Sequence, residues 1–184
     1  MSSEITSVPL ALLRAADFAA RKHRDQRRKD PVQTPYINHP LGVALLLAES
    51  GVEDVATLQA AVLHDTVEDT DTSLEEIERE FGTLVRRIVD ECTDDKALPK
   101  AERKRLQIVN APHKSNQAKH VKLADKLYNL RDLQHATPNG WTPERVHEYF
   151  VWARKVTDGC RGVNASIEQQ LDTIYAQVLG HVAS

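Results

Sequence analysis

The chain has 184 residues, which is enough for a single domain with a full hydrophobic core over residues 1–184. Its 41% hydrophobic and 28% charged residues are typical of a folded globular protein, and a formal net charge of −3 argues against nucleic acid or an anionic membrane as a partner. Cys92 and Cys160 have no CxxC spacing, so free thiols and a cytoplasmic location are expected.

Proline and glycine divide the first part of the chain into predicted helices. Apolar residues recur at helical spacing over residues 10–23, and charged residues among them exclude a signal peptide or a membrane span. The prolines of RRKDPVQTPYINHP, residues 27–40, preclude a helix there, and a new helix begins near His39. That helix ends at Gly51, and the apolar stripe of EDVATLQAAVLHDTVED predicts one continuous helix over residues 53–69.

Helices also follow in the second part of the chain. TDTSLEEIEREFG has Thr72 or Ser73 as N-cap and Gly82 as C-terminal stop, and TLVRRIVDECT continues the pattern. Further helices are predicted from about Pro99, over residues 118–133, after Thr142, and over about residues 164–182. No run of alternating β-branched residues occurs, so the sequence predicts an all-α fold.

The segment HDTVEDTD, residues 64–71, concentrates groups that bind metals. His64 and Asp65 form a mixed nitrogen and oxygen pair suited to Mn²⁺, Fe²⁺, Co²⁺ or Zn²⁺. On a continuous helix Asp65, Glu68 and Asp69 share one face, and their mutual repulsion predicts a nearby cation. Two alternatives stay open, a helix end exposed to solvent and a hydrogen-bonded core histidine. Asp71 is assigned to the following turn.

His39 and Asp125 are two further candidate ligands. His39 stands at the helix start after the proline-containing loop, and Asp125 stands in the otherwise apolar segment KLADKLYNL. A buried carboxylate needs a positive partner, so Asp125 predicts either a metal ion or an ion pair with Lys122 or Lys126. Asn129, one turn later, is expected on the same helix face as Asp125.

The order of these residues, a His, a His-Asp pair and a distant Asp, resembles that of the HD-domain metal-dependent phosphohydrolases. RRKDPVQTPYINHP, HDTVEDT, EEIEREFG and VKLADKLYNLRDL are similar to successive motifs of the hydrolase domain in RelA/SpoT-type guanosine tetra- and pentaphosphate enzymes. Length and motif wording most resemble the small stand-alone metazoan branch. The resemblance covers about residues 10–165 and implies a helical HD-domain bundle with a metal site between helices.

The resemblance also implies roles for individual residues. The implied metal ligands, with Mn²⁺ as the usual ion, are His39, His64, Asp65 and Asp125. Glu68 and Asp69 are implied to orient or deprotonate the attacking water. The substrate-side candidates are Arg28, Lys29, Asn129, Arg145 and Tyr149. Without the resemblance, Arg28 and Lys29 are equally typical of a basic surface cluster, and Lys100 is expected on a solvated face.

The implied activity is hydrolysis of a small phosphorylated nucleotide, guanosine 3′,5′-bis(diphosphate), with release of pyrophosphate. Two alternatives stay open. The same site can act as an NADPH 2′-phosphatase, an activity also associated with these motifs in the metazoan branch. The chain can also be a nucleotide-binding sensor without turnover, although such domains usually lose a ligand or the Glu-Asp pair, and this sequence has both.

Overall fold

The computed structural model describes residues 7–180 of the protein, and helices connected by short segments make up most of this range. The helices are α1 Val8–Lys22, α2 Asn38–Glu49, α3 Val55–Leu63, α4 Thr66–Asp69, α5 Leu74–Phe81, α6 Thr83–Cys92, α7 Lys100–Asn110, α8 Asn116–His135, α9 Pro143–Asp158 and α10 Ala165–Leu179, with a 3-10 turn at Ala111–His113. Residues 7–180 contain no β-strand, only an isolated antiparallel bridge between Arg27 and Pro35. The all-α prediction is confirmed.

Side-chain caps fix several helix starts where the sequence predicted them. Ser73, rather than Thr72, caps α5 by accepting from the Glu76 amide at 3.1 Å, and Thr142 caps α9 with Pro143 as its first residue. Gly82 ends α5 with a φ of 88°, a conformation that favours glycine. The predicted last helix is present as α10, and its residues 181 and 182 lie outside the described range.

The prediction of one continuous helix over residues 53–69 is wrong, because α3 ends at Leu63 and α4 begins at Thr66. Nδ1 of His64 donates to the Ala61 carbonyl at 2.7 Å, and the Thr66 hydroxyl donates to the Leu63 carbonyl at 2.7 Å. In a continuous helix, backbone amides one turn later would occupy both carbonyls, so these side chains compete with the helix. The break places His64 and Asp65 in a turn between two helices.

Helix α8 lies at the centre of the molecule and contacts α2, α3, α6, α9 and α10. It is buried on all sides over residues 121–127, which include two lysines and an aspartate. Fully buried apolar side chains of the surrounding helices, such as Leu47, Leu63 and Ile88, form the core around it. Cys92 and Cys160 are buried free thiols within this core, as expected for packing residues.

None of the helices within residues 7–180 combines the length and the apolar character needed to cross a bilayer.

Candidate metal centre and adjoining cavity

Two helices, α2 and α8, and the α3–α4 turn bring four predicted ligands together. His39, His64 and Asp125 each offer a ligand atom within 4.8 Å of the others, and all three side chains are buried. Nε2 of His39 lies 3.2 Å from Oδ1 of Asp125 and 3.6 Å from Oδ2 of Asp65. Nε2 of His64 lies 3.1 Å from the same Asp65 oxygen. The two imidazoles and the Asp125 carboxylate therefore form one compact group, and the Asp65 carboxylate lies beside both imidazole nitrogens.

The backbone sets the orientation of the His64 ring. Its Nδ1 donates to the Ala61 carbonyl, so the neutral ring has a lone pair and no hydrogen at Nε2. Within the described residues this buried Nε2 has no hydrogen-bond partner. A ligand histidine commonly uses one ring nitrogen for a backbone carbonyl and the other for the metal, and His64 has this arrangement.

Asp125 is held by two donors from its own helix. The Lys126 ammonium lies 2.8 Å from Oδ2, and the Asn129 amide donates to Oδ1 at 2.7 Å. Lys122 instead donates to the Cys92 carbonyl at 2.8 Å. The predicted ion pair of Asp125 with one neighbouring lysine thus exists together with the histidine contacts, so the two interpretations were not exclusive. Lys126 binds the carboxylate oxygen that does not face His39.

The electrostatics of the cluster favour a positive charge at its centre. Burial lowers the pKa of His64, but Asp65 and Asp125 outweigh burial and hold that pKa well above its usual value. Burial alone would raise the pKa of the Asp65 carboxyl, yet the two histidines lower it. The pKa of His39 is lowered, chiefly by burial. A divalent cation can replace the proton that the carboxylates attract, because metal ligands bind in their deprotonated forms.

The ligand atoms of this cluster are chemically suited to a divalent metal ion. The cluster combines imidazole nitrogens with carboxylate oxygens, includes an orphaned buried nitrogen on His64, and is supported by hydrogen bonds behind His64 and Asp125. The alternative that the acidic segment is a solvent-exposed helix end does not hold for His64 and Asp65, because His64 is 3% exposed and Asp65 is half-buried.

Glu68 and Asp69 have surroundings different from those of Asp65. The Glu68 carboxylate accepts a hydrogen bond of 3.1 Å from the backbone amide of Asp94, and burial raises the pKa of the Glu68 carboxyl. The Asp69 carboxylate accepts a hydrogen bond of 2.9 Å from the Lys96 ammonium and one of 3.1 Å from the Gln26 amide. Both acids are thus fixed by the loop after α1 or by the connection between α6 and α7, and Asp69 lines the neighbouring cavity.

A cavity of about 720 Å³ adjoins the ligand cluster. Two of its lining residues also contact the ligands, since Tyr36 donates to Asp65 at 2.6 Å and Asn129 donates to Asp125. Four of the five predicted substrate-side residues line it, namely Arg28, Lys29, Asn129 and Tyr149. A volume of this size accommodates a nucleotide-sized ligand.

Arg28 is fixed on the cavity wall by α8. Its guanidinium donates to the Asn129 side-chain oxygen at 2.8 Å and to Asp132 at 2.7 Å, and it lies over the rings of Tyr36 and Tyr128. The Arg28 side chain is therefore held in place on the cavity wall by hydrogen bonds. The side chain of the neighbouring Lys29 is exposed, and no such bond fixes it within residues 7–180.

Arg145 is the one predicted substrate-side residue that does not line the cavity. It is exposed, and its guanidinium lies 4.2 Å from the centre of the Trp141 ring, which does line the cavity. A helical spacing of four residues from Tyr149 thus did not place both side chains on the same wall. Lys100 is exposed, as expected.

Several residues of the site were not found from the sequence, among them Tyr36, Trp141 and Asp132. Asp132 has a signal in the sequence, because it follows Asn129 by three positions on the same helix and so shares its face. Tyr36 precedes the ligand His39 by three positions, and only the folded loop shows that its hydroxyl reaches Asp65.

The sequence is similar to proteins of a known family. A model of the HD domain matches residues 15–153. Guanosine-3′,5′-bis(diphosphate) 3′-pyrophosphohydrolase MESH1 of Homo sapiens is 64% identical over 167 residues, which cover 90% of this chain and 93% of the human protein. The protein of the same name from Drosophila melanogaster is 58% identical over 161 residues, covering 87% of this chain and 90% of its own.

The fold is also similar to a solved structure described as "A metazoan ortholog of SpoT hydrolyzes ppGpp and plays a role in starvation responses". The two structures agree with a TM-score of 0.91 at 54% sequence identity, over 93% of this chain and 97% of that chain. The likeness therefore extends over nearly the whole chain.

Proposed function

The chain belongs to the HD-domain family, and from this membership we propose that it hydrolyses guanosine 3′,5′-bis(diphosphate) at the 3′ position and releases pyrophosphate. The relatives from Homo sapiens and Drosophila melanogaster are named for this activity and align over nine-tenths of their length. The observation that carries the proposal is the convergence of His39, His64, Asp65 and Asp125 beside a cavity lined by Arg28.

We further propose Mn²⁺ as the ion, held by His39, His64, Asp65 and Asp125. Support comes from the mixed donor set, which suits Mn²⁺ and other divalent transition metals, and from the resemblance of the motifs to the RelA/SpoT-type hydrolase domain, which implies Mn²⁺. An ion at such a site supplies a Lewis acid that lowers the pKa of water and polarises a phosphate oxygen.

Glu68 and Asp69 are the proposed proton acceptors for the attacking water. Burial raises the pKa of Glu68, which brings a carboxylate closer to the range where it accepts a proton near neutral pH. Asp69 lines the cavity, with Lys96 and Gln26 fixing its two oxygens. We assign the orientation of the water to Asp69 and the acceptance of its proton to Glu68.

Cationic and amide groups of the cavity wall are proposed to bind the nucleotide. Arg28 and Lys29 offset the negative charge that Asp65, Glu68 and Asp69 would otherwise present to a diphosphate. Asn129 and Tyr149 offer hydrogen-bonding groups on the same wall. Arg145 is still proposed to bind the substrate, because it stacks on Trp141, which lines the cavity.

The proposed reaction is a single displacement at phosphorus by water. The oxygen of water forms a bond to the phosphorus next to the ribose, and the bond from that phosphorus to the 3′-oxygen breaks. The 3′-oxygen takes up a proton, so that pyrophosphate and a guanosine nucleotide with a free 3′-hydroxyl are the products. In-line displacement requires water and leaving oxygen on opposite sides of the phosphorus.

The test is release of pyrophosphate from guanosine 3′,5′-bis(diphosphate) by the purified chain. Activity should disappear with chelator and return best with Mn²⁺ in a series with Mg²⁺, Co²⁺, Fe²⁺ and Zn²⁺. Glu68→Ala should lose activity, whereas Glu53→Ala, at an exposed position before α3, should retain it. Absence of pyrophosphate from the metal-loaded chain would refute the proposal, and full activity of Glu68→Ala would refute the role of Glu68.

The two alternatives from the sequence find no support in the relatives reported above. Their names give the guanosine substrate, and none gives hydrolysis of NADPH or a sensor role. Measuring specificity constants for both nucleotides on one preparation compares them directly. A higher constant for NADPH would overturn the substrate proposed here while leaving the metal site in place.

A further inference from the structure

The loop that follows α1 reaches two acidic side chains of the HDTVED segment. The Tyr36 hydroxyl donates to Oδ2 of Asp65 at 2.6 Å. The Gln26 amide donates to Oδ2 of Asp69 at 3.1 Å. One bond thus ends on a proposed metal ligand and the other on a proposed water-orienting group.

Both donors are supported by His23, which is 1% exposed at the end of α1. Nδ1 of His23 lies 2.7 Å from the Gln26 side-chain oxygen, and its ring lies 4.9 Å from the Tyr36 ring. Because an amide oxygen only accepts, His23 donates in the first contact. This orients the amide of Gln26 so that its NH₂ group faces the Asp69 carboxylate.

We propose that Tyr36 and Gln26 are positioning residues for the two halves of the site, Tyr36 for Asp65 and Gln26 for Asp69, with His23 supporting both. The inference rests on the proposed function, because it assigns metal binding to Asp65 and the handling of water to Asp69. The two positioning bonds start at two neighbours of one buried histidine, which is hydrogen-bonded to Gln26 and packed against the ring of Tyr36, and they end on two acids with different tasks.

The geometry gives each bond a separate consequence. Tyr36 is a neutral donor, so it fixes the rotation of the Asp65 carboxylate without competing with a cation for its charge. Asp69 is bound by the half-exposed Lys96 at one oxygen and by Gln26 at the other, so loss of the Gln26 bond leaves its carboxylate free to turn about the contact with Lys96. Loss of Tyr36 should therefore affect metal affinity, and loss of Gln26 should affect turnover.

The first experiment compares Tyr36→Phe with Tyr175→Phe in the full chain, freed of metal and titrated with Mn²⁺ by calorimetry. Tyr175 is a matched control because its buried hydroxyl contacts Thr157 at 3.0 Å in the contact between α9 and α10. We expect the Kd for Mn²⁺ to rise about tenfold or more in Tyr36→Phe, the effect typical of losing a hydrogen bond to a ligand. Tyr175→Phe should bind like the wild type.

The second experiment measures Gln26→Leu and His23→Phe at saturating Mn²⁺. His23→Phe keeps a ring against Tyr36 and removes the donor to Gln26, so both variants should lower kcat about tenfold. Both should keep the Kd for Mn²⁺ within about twofold of the wild type. An unchanged kcat in either variant overturns its assigned role.

The outcomes separate this inference from the proposed function. Equal Mn²⁺ affinities of the wild type and Tyr36→Phe, with circular dichroism showing both folded, overturn the positioning role alone. A wild type that binds no Mn²⁺ overturns the proposed metal site and the inference with it. A shared loss of affinity in Tyr36→Phe and Tyr175→Phe indicates general destabilisation and overturns the specific role of Tyr36.

Discussion

Gly42 of α2 and Tyr128 of α8 touch so closely that a Cβ atom on Gly42 would lie 2.1 Å from Cε2 of the tyrosine ring. The ring in turn lies 5.1 Å, edge to face, from the proposed ligand His39. The missing side chain of one residue thus makes room for a ring that borders the metal centre.

Gly42→Ala should therefore lower the free energy of unfolding by about 1–3 kcal/mol, the usual cost of overpacking. In a Tyr128→Ala background the same change should stabilise by about 0.5–1 kcal/mol, because alanine is the better helix former once the clash is gone. Denaturant titration of the double-mutant cycle measures both values. The same sign in both backgrounds would contradict the proposed clash.

Asp125→Asn should reduce bound metal and remove the stabilisation that metal gives. Because an ion that binds only the folded state stabilises it by mass action, the wild type should melt at higher temperature with Mn²⁺ than with chelator. The difference between the two conditions should nearly vanish in Asp125→Asn. Comparing conditions within one variant cancels the effect of leaving Lys126 without its partner.

Elemental analysis checks the same prediction independently. Asp17→Asn, on the exposed face of α1, serves as the control and should retain metal. An unchanged metal stoichiometry in Asp125→Asn would exclude Asp125 as a ligand.

The pH dependence of the reaction should report the raised pKa of Glu68. If its carboxylate accepts the proton of water, kcat/KM falls as pH drops through a pKa above the ordinary 4.5 of glutamate. Glu68→Gln should lower activity at least about 100-fold, which a general base commonly contributes. Glu53→Gln is the matched control. An acid limb that persists unchanged in the residual activity of Glu68→Gln would exclude Glu68 as its source.

Glu68 should also reduce stability at neutral pH. Because the folded protein binds this proton more tightly than the unfolded chain, the favourable contribution of the protonated carboxyl is complete below the unfolded pKa. That contribution is lost as pH rises through the raised folded pKa. We expect Glu68→Gln to melt at the same or a higher temperature than the wild type at pH 7. A lower melting temperature, measured in chelator, would contradict this.

Arg28→Lys should weaken substrate binding although it keeps the charge. The guanidinium contacts Asn129 and Asp132 together, and a lysine ammonium does not reproduce that planar pair of bonds. Loss of one charged hydrogen bond corresponds to a rise in KM of about tenfold, with kcat little changed. Arg105→Lys, an exposed control on α7, should change neither value. A fall in kcat at constant KM would place Arg28 in the chemical step instead.

The sequence predicted the helices where the chain itself provides their ends. Pro143 after Thr142, and Gly82 after an amphipathic stretch, define local geometry and need no tertiary contact. The break between α3 and α4 was not predictable in this way, because neither glycine nor proline occurs there. It depends on side-chain bonds from His64 and Thr66 to carbonyls, which compete with an otherwise favourable helix.

The site was predictable only in part for a related reason. His39, His64 and Asp125 stand far apart in the chain, and motif order rather than local pattern indicated that they meet. Arg145 and Tyr149 share a helix face, yet Arg145 turns to Trp141, because an exposed guanidinium stacks readily on an indole ring.

The ion pair between Arg28 and Asp132 joins positions 104 residues apart in the chain. This side of the cavity wall therefore depends on a long-range contact. The part of the wall that contains Arg28 depends on the contact of the loop after α1 with α8, whereas the apolar core is made by the helices themselves. The entropic cost of closing a chain segment grows slowly with its length, so the long separation is tolerated in the folded state. Local opening of this loop would remove Arg28 from the wall without breaking the helical core, so that substrate binding and global unfolding would be separable events.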